Sequence, residues 1–186
     1  LLSLTAVCLQ VYDLAPVQLG PLSTSALVPP LLGTFYVVLG FMTCTADNLF
    51  PGPATVAAKQ RAEADLYVAL CFGALAAALT CSAVLYEHQW PRGEILALLA
   101  GISAVNWAMF DRTMQGLVLA VVCGLGAPAA EVVLMAASHC WHYSRPDLGG
   151  IFVSWVPLCY FFYTPAVSNL ARYLWQTCRL PDGGAD

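Results

Sequence analysis

Two apolar runs of this chain meet across only five residues. The first ends at Trp107-Ala108-Met109-Phe110, the second opens at Gly116, and between them stand Asp111-Arg112-Thr113-Met114-Gln115. So short a connection has no room for a domain or a soluble lid, and it forces a tight turn between two helices. Apolar runs near the roughly 20 residues that cross a bilayer recur along the chain, so the turn joins membrane helices. Asp111 then lies at the C-terminal end of one helix, where the macrodipole disfavours a negative charge by roughly 0.3–1 kcal/mol. Something must compensate it. Either Asp111 is the N-cap of the next helix, accepting backbone N–H bonds, or it faces a partner or ligand; the two roles can coexist.

The charge content agrees with a lipid environment. Only 10% of the 186 residues are charged, 60% are hydrophobic and the mean hydropathy is +0.73, whereas soluble domains carry about 25% charged residues. The net charge of −4 excludes a basic nucleic-acid footprint. Eight cysteines form no CxxC pair and fall mostly inside apolar runs, which points to small buried thiols, not to zinc or disulfides. The chain opens on Leu1 without a basic n-region, so no signal peptide is expected.

Read in order, the runs predict an all-α, polytopic bundle of six helices forming one transmembrane domain over 1–186. Residues 1–14 are apolar but short, and are expected to be the end of a truncated first helix. Pro16 to Ser25 reads as a loop. Val28-Pro29-Pro30 opens a helix over about 26–46, since proline is tolerated in a first turn. Asp47 to Asp65 reads as a polar loop with at most a turn of surface helix. Further helices follow at about 66–86, 94–110, 116–138 and 151–175, the last kinked by Pro157 and Pro165. Leu180 to Asp186 is a polar tail. Lys59, Arg61, Arg112, Arg172 and Arg179 fall on one side and only Arg92 and Arg145 on the other, which places the first side in the cytosol. Gly73, Ala77 and Cys81, and Gly116, Ala120 and Gly124, form faces of small residues on which helices in lipid approach closely.

Two acids within or beside the runs need a reason. Glu131 lies deep in the fifth helix, three residues after Pro128, where an unpaired carboxylate costs about 2.5–3.5 kcal/mol and marks a functional site by default. The alternative is a protonated Glu131 bonded to a carbonyl freed by Pro128, or to a Ser or Thr of another helix. Glu94 is explained by the helix dipole as a first-turn acid, or else it faces a ligand. His88, His139 and His142 have no metal-site spacing, and no phosphate loop, nucleophile elbow or HExxH motif is present. A non-enzyme without a metal or cofactor is therefore expected.

Several ordered segments resemble the Insig family of endoplasmic-reticulum membrane proteins. Val28-Pro29-Pro30, Gly33-Thr34 and Asp47 are similar to its opening of helix two. Trp107, Phe110-Asp111-Arg112-Thr113 and Gly116 are similar to its helix four–five turn. Tyr143 to Asp147, Ser154-Trp155-Val156-Pro157 and Asn169 to Arg172 are similar to segments in and before its last helix. The resemblance implies six helices around a sterol-accessible cavity formed largely by helices three to five, and a multi-pass location in the endoplasmic-reticulum membrane. It implies an oxysterol-responsive adaptor whose partners carry sterol-sensing domains, the SREBP cleavage-activating protein and HMG-CoA reductase.

By the same resemblance Asp111 and Trp107 carry partner binding, and their i, i+4 spacing puts both on one side of a helix. Glu94 falls where animal members have a pocket glutamine, and Glu131 near a Thr-Gln pair, so both are candidate lipid-binding residues. A carboxylate at each place departs from the family pattern and bears on which lipid binds. A glycerolipid such as diacylglycerol is the alternative ligand, and a small transporter with Glu131 as its intramembrane site is the alternative function.

Overall fold

The structure, a computed structural model, describes residues 10–20 and 22–178, and of Leu19 and Leu22 the backbone alone. The first nine residues of the expected helix over 1–14, together with Cys8, Arg179 and the tail 180–186, lie outside the described residues. In chain order the elements are β1 (Gln10–Tyr12), β2 (Pro16–Leu19), β3 (Leu22–Ser25), α1 (Val28–Leu49), α2 (Pro53–Ala62), α3 (Asp65–Glu87), α4 (Arg92–Phe110), α5 (Met114–Ser138), β4 (Trp141–Tyr143) and α6 (Val156–Thr177).

The described residues are mostly helical, and among them four helices, α1, α3, α4 and α5, are long and apolar enough to cross a membrane. Their apolar side chains face outward: Val37 and Phe41 are each 72% exposed, Leu66 71% and Val133 68%. Such surfaces require hydrocarbon as their solvent, which is the arrangement of a membrane protein.

The most polar long helix is the innermost. α6 carries Thr164, Ser168, Asn169 and Arg172 among its buried residues, and it packs against α1, α2, α3, α4 and α5. Hydropathy alone puts α6 below the other four, and three of those polar residues bond across to other helices: Ser168 to Thr43 and Arg172 to Asp47 of α1, and Asn169 to the Phe110 carbonyl of α4. The main core fills the space between α6 and α3, α4 and α5 with Leu75, Leu85, Ile95, Leu99, Met135 and Phe162.

Close approach is achieved on α5. An added Cβ at Gly124 would lie 3.0 Å from the Pro157 carbonyl oxygen of α6, so Gly124 is a point of close helix approach; Ala120 and Gly116 are buried on the same helix, and Gly116 is crowded by Asp111 and Thr113 of its own turn. Pro128 and Glu131 are buried in the same helix. The second small-residue face does not behave this way: Gly73 has nothing within 4 Å of an added Cβ and faces outward with Ala77.

Several expected boundaries are corrected by tertiary pairing. Residues 10–12, assigned to a helix from hydropathy, form β1 and pair antiparallel with β4 in the register Gln10↔Tyr143, Val11↔His142 and Tyr12↔Trp141. The loop at 16–25 is a β-hairpin of β2 and β3, turning at Gly20 with φ 61°. In both cases a partner strand decides a conformation that the local pattern leaves open. The polar loop after Asp47 holds the ten-residue α2, which begins on Pro53 and buries Thr55, Ala58 and Ala62. Asp47 itself is inside α1. The last helix starts at Val156 and not at Ile151, because Gly149 and Gly150 (φ 60° and 70°) turn the chain and Asp147 accepts the Ser154 N–H at 2.7 Å.

The bundle therefore has two dissimilar ends. One carries α2, the α4–α5 turn and the end of α6, with Lys59, Arg61, Arg112 and Arg172. The other is covered by the β1–β4 pair and carries Arg92 and Arg145. The partition of basic residues expected for these six positions is kept.

Candidate functional site

At the α2 end, three helices bring charged groups together in the dry interior. Arg172 of α6 donates from Nε to Asp47 Oδ2 at 2.8 Å and from Nη2 to Asp47 Oδ1 at 3.1 Å. The same Nη2 lies 3.4 Å from Asp111 Oδ1. All three side chains are at most 1% exposed. Asn169, one turn before Arg172, donates to the Phe110 carbonyl at 2.8 Å and so ties α6 to the end of α4. Gln115 donates to Asp47 Oδ1 at 3.2 Å and to Thr55 Oγ1 at 2.7 Å, which brings in α5 and α2.

Asp111 is the C-cap of α4, and the N-cap of α5 is Thr113. The capping expectation is thus corrected by two residues. The Thr113 hydroxyl donates to Asp111 Oδ1 at 2.6 Å and accepts the Gly116 N–H at 3.0 Å. Asp111 orients the cap and does not serve as one. Its unfavourable place at a helix C-terminus is compensated by Arg172 and by the Thr113 N–H at 3.3 Å. Arg61 donates to the Asp111 carbonyl at 3.0 Å. The side chain of Trp107 is partly buried and donates from Nε1 to the Thr113 carbonyl at 3.2 Å, so the two partner-site candidates brace one turn. Of the pair, only Trp107 presents side-chain surface, while Asp111 is fully buried.

The second site is at the β-covered end. Glu131, 6% exposed, lies seven residues before the end of α5, about 10 Å along the axis. Its Oε1 accepts from Gln10 Nε2 at 2.8 Å, Tyr143 OH at 2.8 Å and Trp141 Nε1 at 3.1 Å. Its Oε2 accepts from Tyr160 OH at 3.3 Å. The four partners come from β1, β4 and α6, and a carbonyl freed by Pro128 or a Ser or Thr, the partners expected for the protonated alternative, is not among the bonds described. Burial, with the Glu131 carboxylate beside it, pushes the Tyr143 hydroxyl well above its ordinary pKa, so it stays protonated and donates.

Glu131 lines a cavity of about 420 Å³ between α1, α5, α6 and the β1–β4 pair. Leu31, Leu32 and Phe35 of α1, Leu134 of α5 and Tyr160 and Tyr163 of α6 make it mostly apolar. The Glu131 cavity has a different place from the one the resemblance implies among the third, fourth and fifth helices; among the described residues the core packs α6 against α3, α4 and α5. Oε1 holds three donors and is saturated, whereas Oε2 holds one long bond and retains acceptor capacity. A bound hydroxyl fits that capacity.

Glu94 is placed elsewhere. It is exposed in the first turn of α4 and does not line the Glu131 cavity. Among the described residues no three His, Cys, Asp or Glu side chains converge as metal ligands, and the described cysteines are free thiols. Asp47, Thr113, Gln115, Asn169 and Arg172 are site residues that sequence reasoning did not select. The available signal was an arginine and an aspartate of opposite sign, each inside or at the edge of an apolar run and on the same side of the membrane.

These sites define a helical membrane protein with an apolar cavity that ends on a carboxylate. Comparison of the chain with protein families, characterised proteins and solved structures gives no match.

Proposed function

We propose that this chain is a non-enzymatic, lipid-responsive adaptor of the endoplasmic-reticulum membrane, of the kind its segments resemble in the Insig family. The observation that carries the reading is the spare acceptor capacity of Glu131 Oε2 in the wall of an apolar cavity. A hydroxylated lipid matches it: the apolar body lies along Leu31, Leu32 and Phe35, and its hydroxyl donates to the carboxylate. Sterols and diacylglycerols both have that chemistry.

The helices that line the cavity also hold the ion cluster. α1 carries Phe35 and Asp47, and α6 carries Tyr160, Tyr163 and Arg172. The two groups on α1 are twelve residues apart, about 18 Å along the helix. A lipid that spreads α1 from α6 acts against the Asp47–Arg172 bonds and so on the α4–α5 turn that Asp111 and Trp107 brace. That turn is the proposed docking element for a sterol-sensing-domain partner. A lipid biases such an equilibrium only by its differential affinity for the two arrangements, with typical couplings of 1–3 kcal/mol. The transporter alternative places Glu131 as a proton carrier, but four donors that hold the carboxylate in one position favour binding.

The test is native mass spectrometry of the detergent-purified chain after lipid extraction, with and without added 25-hydroxycholesterol, on the wild type and Glu131→Gln. A sterol retained by the wild type and lost in the variant supports a sterol-responsive adaptor. A glycerolipid that sterol does not displace moves the ligand to diacylglycerol. Equal lipid retention in both proteins would sink the role of Glu131.

A further inference from the structure

A separate pocket of about 360 Å³ lies at the β-covered end, between the α3–α4 connection and the segment before α6. Arg92 and Arg145 line it together with Tyr86, Gln89, Asp147 and Trp155. The Arg145 guanidinium stacks over the Tyr86 ring at 5.6 Å and is otherwise exposed. Arg92 Nε lies 3.6 Å from Asp147 Oδ2, with its side chain 67% exposed. The single carboxylate in the pocket is already committed: Asp147 accepts the Ser154 N–H at 2.7 Å and the Ser154 hydroxyl at 2.8 Å. Two guanidinium groups against one satisfied carboxylate leave an excess positive charge in a concave site.

Trp155 and Gln89 complete the pocket wall. Trp155 is 3% exposed, and its indole Nε1 is buried with no hydrogen-bond partner. The ring itself forms one wall of the pocket, packed against Tyr86 with centroids 5.3 Å apart. Gln89 has φ 53° at the end of α3, where its N–H bonds to the Tyr86 carbonyl and the Trp90 N–H bonds to the Leu85 carbonyl. This is the left-handed position of a Schellman motif, which glycine fills without the steric cost a Cβ brings. The Gln89 side chain lines the pocket beside the two arginines.

We propose that this pocket binds a phosphate group, held by Arg92 and Arg145, with the Gln89 amide as a neutral donor. Forked guanidinium donors suit phosphate oxygens. The volume lies at the lower end for ligand sites and suits a headgroup, not a whole lipid. Trp90, half exposed at the rim, puts the pocket at the level of an interfacial aromatic. The site is distinct from the Glu131 cavity, whose lining residues it does not share.

The full chain, purified in detergent, is titrated by calorimetry with dioctanoyl phosphatidic acid and with glycerol 3-phosphate. Phosphatidic acid is expected to bind, and Arg145→Gln and Arg92→Gln to weaken it roughly tenfold or more, with Arg145→Lys less affected. Binding of the lipid alone assigns a headgroup site; equal binding of glycerol 3-phosphate assigns a soluble phosphate ligand. Gln89→Gly separates binding from structure. It is expected to raise the melting temperature by relieving the left-handed residue while lowering phosphate affinity, and unchanged affinity removes Gln89 from the site. If neither compound binds, or both arginine variants bind as the wild type does, the proposal is overturned.

Discussion

Asp47 and Arg172, separated by 125 residues, are joined by two hydrogen bonds of 2.8 and 3.1 Å, with both side chains shielded from solvent. Asp111 shares the same guanidinium at 3.4 Å. Two carboxylates thus depend on one cation, and the pairing joins α1, α6 and the α4–α5 turn into one unit.

Arg172→Met removes the cation and leaves two buried carboxylates. The expected loss is about 3–5 kcal/mol, the usual cost of breaking a buried pair from one side. The combined variant Asp47→Asn, Asp111→Asn, Arg172→Met removes all three charges and should recover a large part of that loss. Thermal melting in detergent compares them, and a single variant as stable as the wild type would show that the cluster contributes nothing.

Gly116→Ala tests the packing beneath the turn. A Cβ at Gly116 would lie 2.0 Å from Asp111 Oδ2 and 2.7 Å from Thr113 Oγ1. The aspartate must leave its place, since backbone and cap hold the other side. A destabilisation of about 1–3 kcal/mol is expected, the range for overpacking, together with loss of whatever depends on the Asp111 geometry. Gly73→Ala is the control, because an added Cβ there meets nothing within 4 Å. Equal melting temperatures of the two variants would contradict the structure.

In the proposed docking element Asp111, being fully buried, would act on a partner through the turn and not by its own contact. Asp111→Ala therefore weakens the fold as well as partner retention. Asp111→Asn keeps the shape and the Thr113 contact while removing the charge that faces Arg172. Co-purification with a sterol-sensing-domain protein is expected to fall in both variants and in Trp107→Ala, whose indole no longer holds the Thr113 carbonyl. Full retention by Trp107→Ala and Asp111→Asn alike would remove this turn as the docking element.

Glu131→Gln replaces an acceptor-only group by one with an N–H₂ end, which meets donors from Gln10, Tyr143, Trp141 and Tyr160. At least one buried donor is left unpaired, at about 1–3 kcal/mol. Phe35→Ala enlarges the cavity without touching that network. Both are expected to lose bound lipid, but only Glu131→Gln should loosen the β1–β4 pair. Hydrogen exchange at 10–12 and 141–143 distinguishes them.

The four apolar helices were legible because each has a long, largely apolar run whose ends are set by Pro, Gly or charge, and the observed ends differ from those expected by at most three residues. Glu131 was legible as a carboxylate among apolar neighbours, since no helix of that composition carries one without a partner. The Asp111 turn was legible from its length, but its cap was assigned to the wrong oxygen. Asp and Thr are both good N-caps, and the choice of Thr113 follows from Arg172 drawing Asp111 away. β1 and the cavity position were not legible, because each depends on residues more than a hundred positions distant.

Local pattern thus settled the class of the protein, its apolar spans and the presence of acids that need partners, since the free energy of placing a residue in lipid depends on that residue and its near neighbours. Tertiary structure alone decided that the polar α6 runs through the middle, that Asp47 and Arg172 meet, and that Glu131 faces a cavity beside α1 and not the space among α3, α4 and α5. Those outcomes depend on which polar groups satisfy one another in a dry interior, and that is a property of pairs brought together by the fold.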